Sequence, residues 1–93
     1  MLANLPPALP TAPPPSTPHP DDLAGLIERV TFFNEENGFA VLQVKVKGHR
    51  DLVTVLGSLP AVSAGEWITA QGRWVQDREY GRQFRADLLA STP

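Results

Sequence analysis

Four arginines, Arg73, Arg78, Arg82 and Arg85, fall close together near the C-terminal end of the sequence, with Trp67 and Tyr80 in the same stretch. Guanidinium groups bind phosphates and aromatic faces stack on bases, so this combination suits a single-stranded nucleic acid. The candidate nucleic-acid-binding residues are Arg73, Arg82, Arg85, Trp67 and Tyr80. Asp77, Glu79 and Asp87 stand among the arginines, so a self-neutralised, solvated hairpin is the competing reading. Lys45, Lys47 and Arg50 form a second, smaller basic cluster.

Catalytic chemistry finds no comparable support. The carboxylate pairs Asp21-Asp22 and Glu35-Glu36 are sequence neighbours in tail-like and turn-like segments, and such neighbours do not converge on a substrate. His19 and His49 are far apart and lack a triad-like setting. Neither a Gly-rich phosphate loop ending in Lys-Ser/Thr nor a Gly-x-Gly-x-x-Gly run occurs. With no cysteine and two histidines, no structural zinc set can be assembled and no disulfide can form. No catalytic residue, cofactor or metal is therefore expected. A small secreted domain usually carries disulfides, so their absence favours the cytoplasm. No apolar run of membrane-spanning length occurs, and no membrane partner is expected.

The formal net charge is −2, and once Asp21 and Asp22 are set aside the remaining charges balance. Proteins that grip nucleic acid strongly are usually basic, so only weak binding is expected here. Eight of the ten prolines lie within the first 20 residues. Proline removes a backbone donor and locks φ, which keeps helix and sheet out of such a segment. Residues 1–22 are expected to be a disordered, proline-rich spacer, and residues 23–93 a folded domain. The tail's PxxP spacings, such as Pro7 to Pro10, are what proline-dense sequence yields by chance.

The residues that would do the chemistry need elements to position them, and the pattern supplies strands. Gly25–Phe33 is rich in β-branched and aromatic residues, and the spacing of Ile27, Val30 and Phe32 calls for a bulge near Glu28-Arg29. Asn34–Gly38 reads as a hairpin connection with Gly38 at positive φ and the asparagines capping the turn. Phe39–Lys47 alternates with period two, Leu52–Leu56 is a short strand ended by Gly57, and Leu59–Gly65 is a loop with room for one 3₁₀ turn. Glu66–Val75 places Ile68, Ala70, Gly72 and Trp74 on one face, with Gly72 marking a bend or close approach. Gln83–Leu89 places Phe84, Ala86 and Leu88 inward. Phe32, Phe39, Trp74 and Phe84 are expected in the core, and Phe33, Trp67 and Tyr80 off it. The fold class is all-β, a small five-stranded antiparallel OB-like barrel, since closure removes sheet edges. An SH3-like barrel or an open meander also fits this strand count.

The run Gly25-Leu26-Ile27-Glu28-Arg29-Val30-Thr31-Phe32-Phe33-Asn34-Glu35-Glu36-Asn37-Gly38-Phe39-Ala40-Val41 resembles the N-terminal OB-like domain of the RecD-like (RecD/TraA-type) ATP-dependent DNA helicases. The resemblance continues through Val53–Gly57, Leu59-Pro60, Gly65-Glu66, Gly72-Arg73-Trp74 and Tyr80-Gly81-Arg82-Gln83-Phe84. It implies a domain that precedes helix-hairpin-helix elements and ATP-hydrolysing motors moving 5′ to 3′ on single-stranded DNA. None of those elements lies in these residues. The expected role is therefore an accessory one in DNA recombination and repair, without catalysis of its own. The barrel would pack on the helicase motor domains and guide single-stranded DNA. The alternative is a protein-interaction module that does not touch nucleic acid.

Overall fold

The computed structural model describes residues 20–93. The expected tail up to residue 19 lies outside the described residues. Asp21 and Asp22, assigned above to that tail, are the first residues of a strand.

Five strands make up the fold: β1 (Asp21–Phe33), β2 (Phe39–Lys45), β3 (Val53–Ser58), β4 (Trp67–Asp77) and β5 (Gly81–Thr92). They close into a barrel in the order β1-β2-β3-β5-β4, and no helix occurs among the described residues. Four neighbouring pairs are antiparallel, but β3 and β5 run parallel through Thr54↔Gln83, Val55↔Phe84 and Leu56↔Arg85. The expectation of a purely antiparallel barrel is corrected here, and the reason is parity. Around a closed ring of five strands, directions cannot alternate at every step, so one pair must be parallel.

The core is made where the two-residue alternation points inward. Ile27, Ala40, Leu42, Val44, Val55, Ile68 and Phe84 are buried, with Leu23, Val53, Leu59 and Ala70 completing the cluster. Each large side chain buried in this way contributes about 1.5–3 kcal/mol. In β2 and β4 the alternation runs as expected. In β1 it does not, because register shifts fall between Ile27 and Arg29 and again between Val30 and Phe32. The first shift is the expected bulge. The second reverses the ends of the strand: Phe33 packs against the core and Phe32 faces solvent.

A third irregularity lies between Gln71 and Gly72, where Gln71↔Leu88 is followed by Gly72↔Ala86. Asp87 is the extra residue of this bulge, and it turns the rest of β5 over. Leu88, expected inward, is exposed, and Leu89 packs on the core instead. Gly72 is required at this point because a Cβ there would collide with the carbonyl of Arg85. Gly57, expected to end its strand, lies within β3, where a Cβ would press on Leu89 and Ala86. Leu59–Gly65 is a loop as expected, without a 3₁₀ turn.

Candidate nucleic-acid interface

The β1–β2 connection is built by its two asparagines. The Asn34 side-chain oxygen accepts from the amides of Glu36 (2.8 Å) and Asn37 (3.4 Å), and that of Asn37 accepts from Phe39 (2.9 Å). Gly38 takes φ +76°, and its carbonyl accepts from the Leu59 amide at 3.0 Å. The loop is thereby pinned to the loop after β3, and Phe39 starts β2 at a defined register. Since Ala40 and Leu42 point inward, Phe39 points outward.

Cross-strand register then assembles one outward row. Phe32 pairs with Val41, Val41 with Leu56, Leu56 with Arg85, and Arg85 with Arg73. Phe32 is 49% and Phe39 36% exposed, with ring centroids 6.3 Å apart and planes tilted by 54°. Val41 and Leu56 are half-buried, and both arginines are exposed. The row thus presents an aromatic pair at one end, an apolar middle and two guanidinium groups at the other. Four steps of about 4.8 Å give it a length of about 19 Å. Followed once round the barrel, the pairing returns to β1 at Asp21, paired with Gly72, far along the strand from Phe32. Such stagger means strongly tilted strands, so the row climbs one side of the barrel rather than encircling it.

Beside the row runs a polar ladder. The Thr54 hydroxyl donates to Gln43 Oε1 at 3.2 Å, and Gln43 Nε2 donates to Thr31 Oγ1 at 3.4 Å. Where β3 and β5 diverge past Leu56 and Arg85, a groove of about 480 Å³ opens, lined by Phe39, Leu56, Arg85 and Asp87 among others. A short single strand with a base stacked on Phe39 or Phe32 and phosphates further along its backbone near Arg85 and Arg73 matches the chemistry of single-strand recognition.

Of the candidate residues from the sequence, the structure brings Arg73 and Arg85 together as direct partners. Arg82 is elsewhere: it is on the same side of β5 as Phe84 but exposed at the barrel end, with its guanidinium carbon 4.3 Å from the Trp74 ring centroid. Tyr80 is in the β4–β5 turn, 74% exposed, with its amide donating to Asp77 Oδ2 at 2.7 Å. Trp67, 48% exposed, stands six residues from Arg73 along β4, about 20 Å away, and pairs with Leu26 and Thr92. Lys45 ends β2, Lys47 is in the following turn, and Arg50 borders the barrel end.

Phe32 and Phe39, expected in the core, were missed as site residues, as were Val41 and Leu56. A signal for Phe39 was present, because the alternation anchored on Leu42 and Val44 puts it with Gln43 and Lys45 on the solvent face. No such signal exists for Phe32, whose direction is set by the second bulge. Among the described residues no group of three or more His, Asp or Glu side chains could hold a metal ion.

Residues 20–92 match the family model described as ATP-dependent DNA helicase YrrC, OB-fold domain. No curated protein matches the chain.

Proposed function

The chain belongs to the family of OB-fold domains of YrrC-type ATP-dependent DNA helicases, and from this premise we propose that it is the accessory barrel of a RecD-like 5′–3′ helicase that holds single-stranded DNA weakly beside the motor. The parent enzyme binds and hydrolyses ATP through other domains and works in DNA recombination and repair in the cytoplasm. The barrel contributes no catalysis.

The observation that carries this reading is the outward row Phe32–Val41–Leu56–Arg85–Arg73. It combines a stacking surface with two unburied guanidinium groups at a fixed spacing. OB barrels use the face of strands 2 and 3 and the adjoining loops for oligonucleotides, and the middle of the row lies on that face. The net charge of −2, all of it within the barrel, limits affinity, which suits a guide tethered to a motor, where effective concentration offsets weak binding.

The test is a low-salt titration of residues 20–93 with a fluorescent oligothymidine. Binding is expected for the wild type and a loss of at least about tenfold for the Arg73→Ala/Arg85→Ala double variant, since each lost charge-assisted contact is worth 1.5–3 kcal/mol or so. Equal binding by the double variant sinks the reading.

One observation favours a second reading, a docking module for the helicase motor domains. Leu26 and Trp67 are cross-strand partners and both are exposed. If Trp67→Ala releases the barrel from its motor while leaving the oligonucleotide titration unchanged, this surface serves packing and not DNA.

A further inference from the structure

The end of the barrel around Trp74 holds an arrangement that the row does not use. The loop between β2 and β3 folds back there: the His49 amide donates to the Val46 carbonyl at 3.0 Å, and Gly48 takes φ +89°. The turn delivers the His49 ring onto the Trp74 indole, 5.6 Å between centroids and 16° from parallel. Arg82 lies over the same indole at 4.3 Å. Phe84 meets the indole edge-on, 5.2 Å away at 78°, and so holds it from the core side. His49, Arg50, Asp51, Trp74 and Arg82 line a cavity of about 320 Å³, with Leu52 and Val53 completing the wall.

Stacking fixes the plane of a guanidinium without consuming its donors. All five N–H groups lie in that plane, and the contact with the indole uses the face. Arg82 is thus oriented in advance, with donors free along its edge. Among the described residues no side-chain acceptor is hydrogen-bonded to it. Arg50 brings a second permanent positive charge to the same cavity and His49 a further ring nitrogen, against the single carboxylate of Asp51. Two guanidinium groups beside an aromatic wall favour a dianion attached to a flat, stackable group. A terminal phosphomonoester carries nearly two charges at neutral pH, whereas a phosphodiester inside a strand carries one.

We propose that this barrel-end cavity binds the terminal phosphate of a nucleotide, with Arg82 and Arg50 as the phosphate donors and Trp74 as the wall beside the nucleoside. The cavity is at the lower end of the size range for small-ligand sites, which suits one nucleotide unit. Arg82 lies on the Phe84 side of β5, exposed over Trp74 at the barrel end, while Arg73 and Arg85 lie on the opposite side of the sheet. A strand lying along the row therefore does not cross the cavity, and the site does not rest on the row's binding DNA.

The chain has two tryptophans, so Trp67→Phe leaves Trp74 as the sole indole reporter. In that background, the full chain is titrated with thymidine 5′-monophosphate, thymidine 3′-monophosphate and thymidine. Saturable quenching of Trp74 by at least one monophosphate, and none by thymidine at the same concentration, is expected. Arg82→Gln and, separately, Arg50→Ala should each weaken that binding about tenfold, the cost of one charge-assisted contact. Asp51→Asn should tighten it, and Arg73→Ala/Arg85→Ala should leave it unchanged. Oligothymidine carrying the preferred terminal phosphate separates the two sources of the ligand: tighter binding than the monophosphate assigns a strand end, and weaker binding a free nucleotide. Quenching by thymidine equal to that by the monophosphates, or indifference to both Arg82→Gln and Arg50→Ala, overturns the proposal.

Discussion

Phe39 and Phe84 are both aromatic residues in strands, and register gives them opposite duties. Phe84 is wholly buried, while Phe39 stands half clear of the surface against Phe32. Phe84→Ala is expected to cost about 3–5 kcal/mol of stability through lost transfer energy and the cavity left behind. Phe39→Ala should cost far less stability, yet weaken oligonucleotide binding by the roughly 1–3 kcal/mol of one stacked base. Denaturant melts and a low-salt titration of both variants check the pair. The sequence showed the aromatic content of both strands; Phe39 was expected in the core, although the period of β2 places it with Gln43 and Lys45 on the solvent face. Phe32 stayed illegible because its direction depends on an unpaired residue that only the partner strand reveals.

Bulges decide more about this barrel than strand propensity does. The Asp87 bulge turns Leu88 out and Leu89 in, and Gly72 opposite it leaves room for the Arg85 carbonyl. Leu88→Ser is therefore expected to change stability by no more than about 0.5 kcal/mol, whereas Leu89→Ser should destabilise by about 2 kcal/mol. Gly72→Ala, which forces a methyl into backbone, should cost at least about 2 kcal/mol. Thermal melts of the three variants test the assignment, since the simple alternation of β5 predicts the reverse order for the two leucines. The turn asparagines are the contrasting case. Asn34 and Asn37 cap their loop through hydrogen bonds within a few residues, so their role could be read locally.

At the scale of the molecule, a net charge of −2 and a single basic pair on the row bound what the barrel does to DNA. Arg73 and Arg85, with one further cation, neutralise on the order of three phosphates. The logarithm of the association constant for a single strand should then fall with the logarithm of salt concentration at a slope of about −2. Titrations across a range of salt concentrations measure it. A slope steeper than about −4 would mean that a larger basic surface than the row is engaged. Closure has its own consequence. The one parallel pair, β3 with β5, is short and joins strands distant in sequence, and it is what sets Leu56 beside Arg85.

Composition and period by themselves determined that this is a small all-β domain, where four of the turns fall, that Leu42, Val44, Ile68 and Ala70 face the core, and that no phosphate-binding loop for ATP is present. These properties are local: they depend on side-chain size, proline and glycine geometry, and a two-residue repeat. The parallel closure, the exposed Phe32–Phe39 pair, the meeting of Arg73 with Arg85 and the separation of Arg82 onto Trp74 came from tertiary structure alone. The physical reason is that a face is inherited along a strand only until a bulge reverses it, and a row across strands exists only once registers between distant segments are set. Arg82 and Arg85 are three residues apart in one strand, and that odd spacing, in a closed barrel, sends one to the mouth and the other to the outer wall.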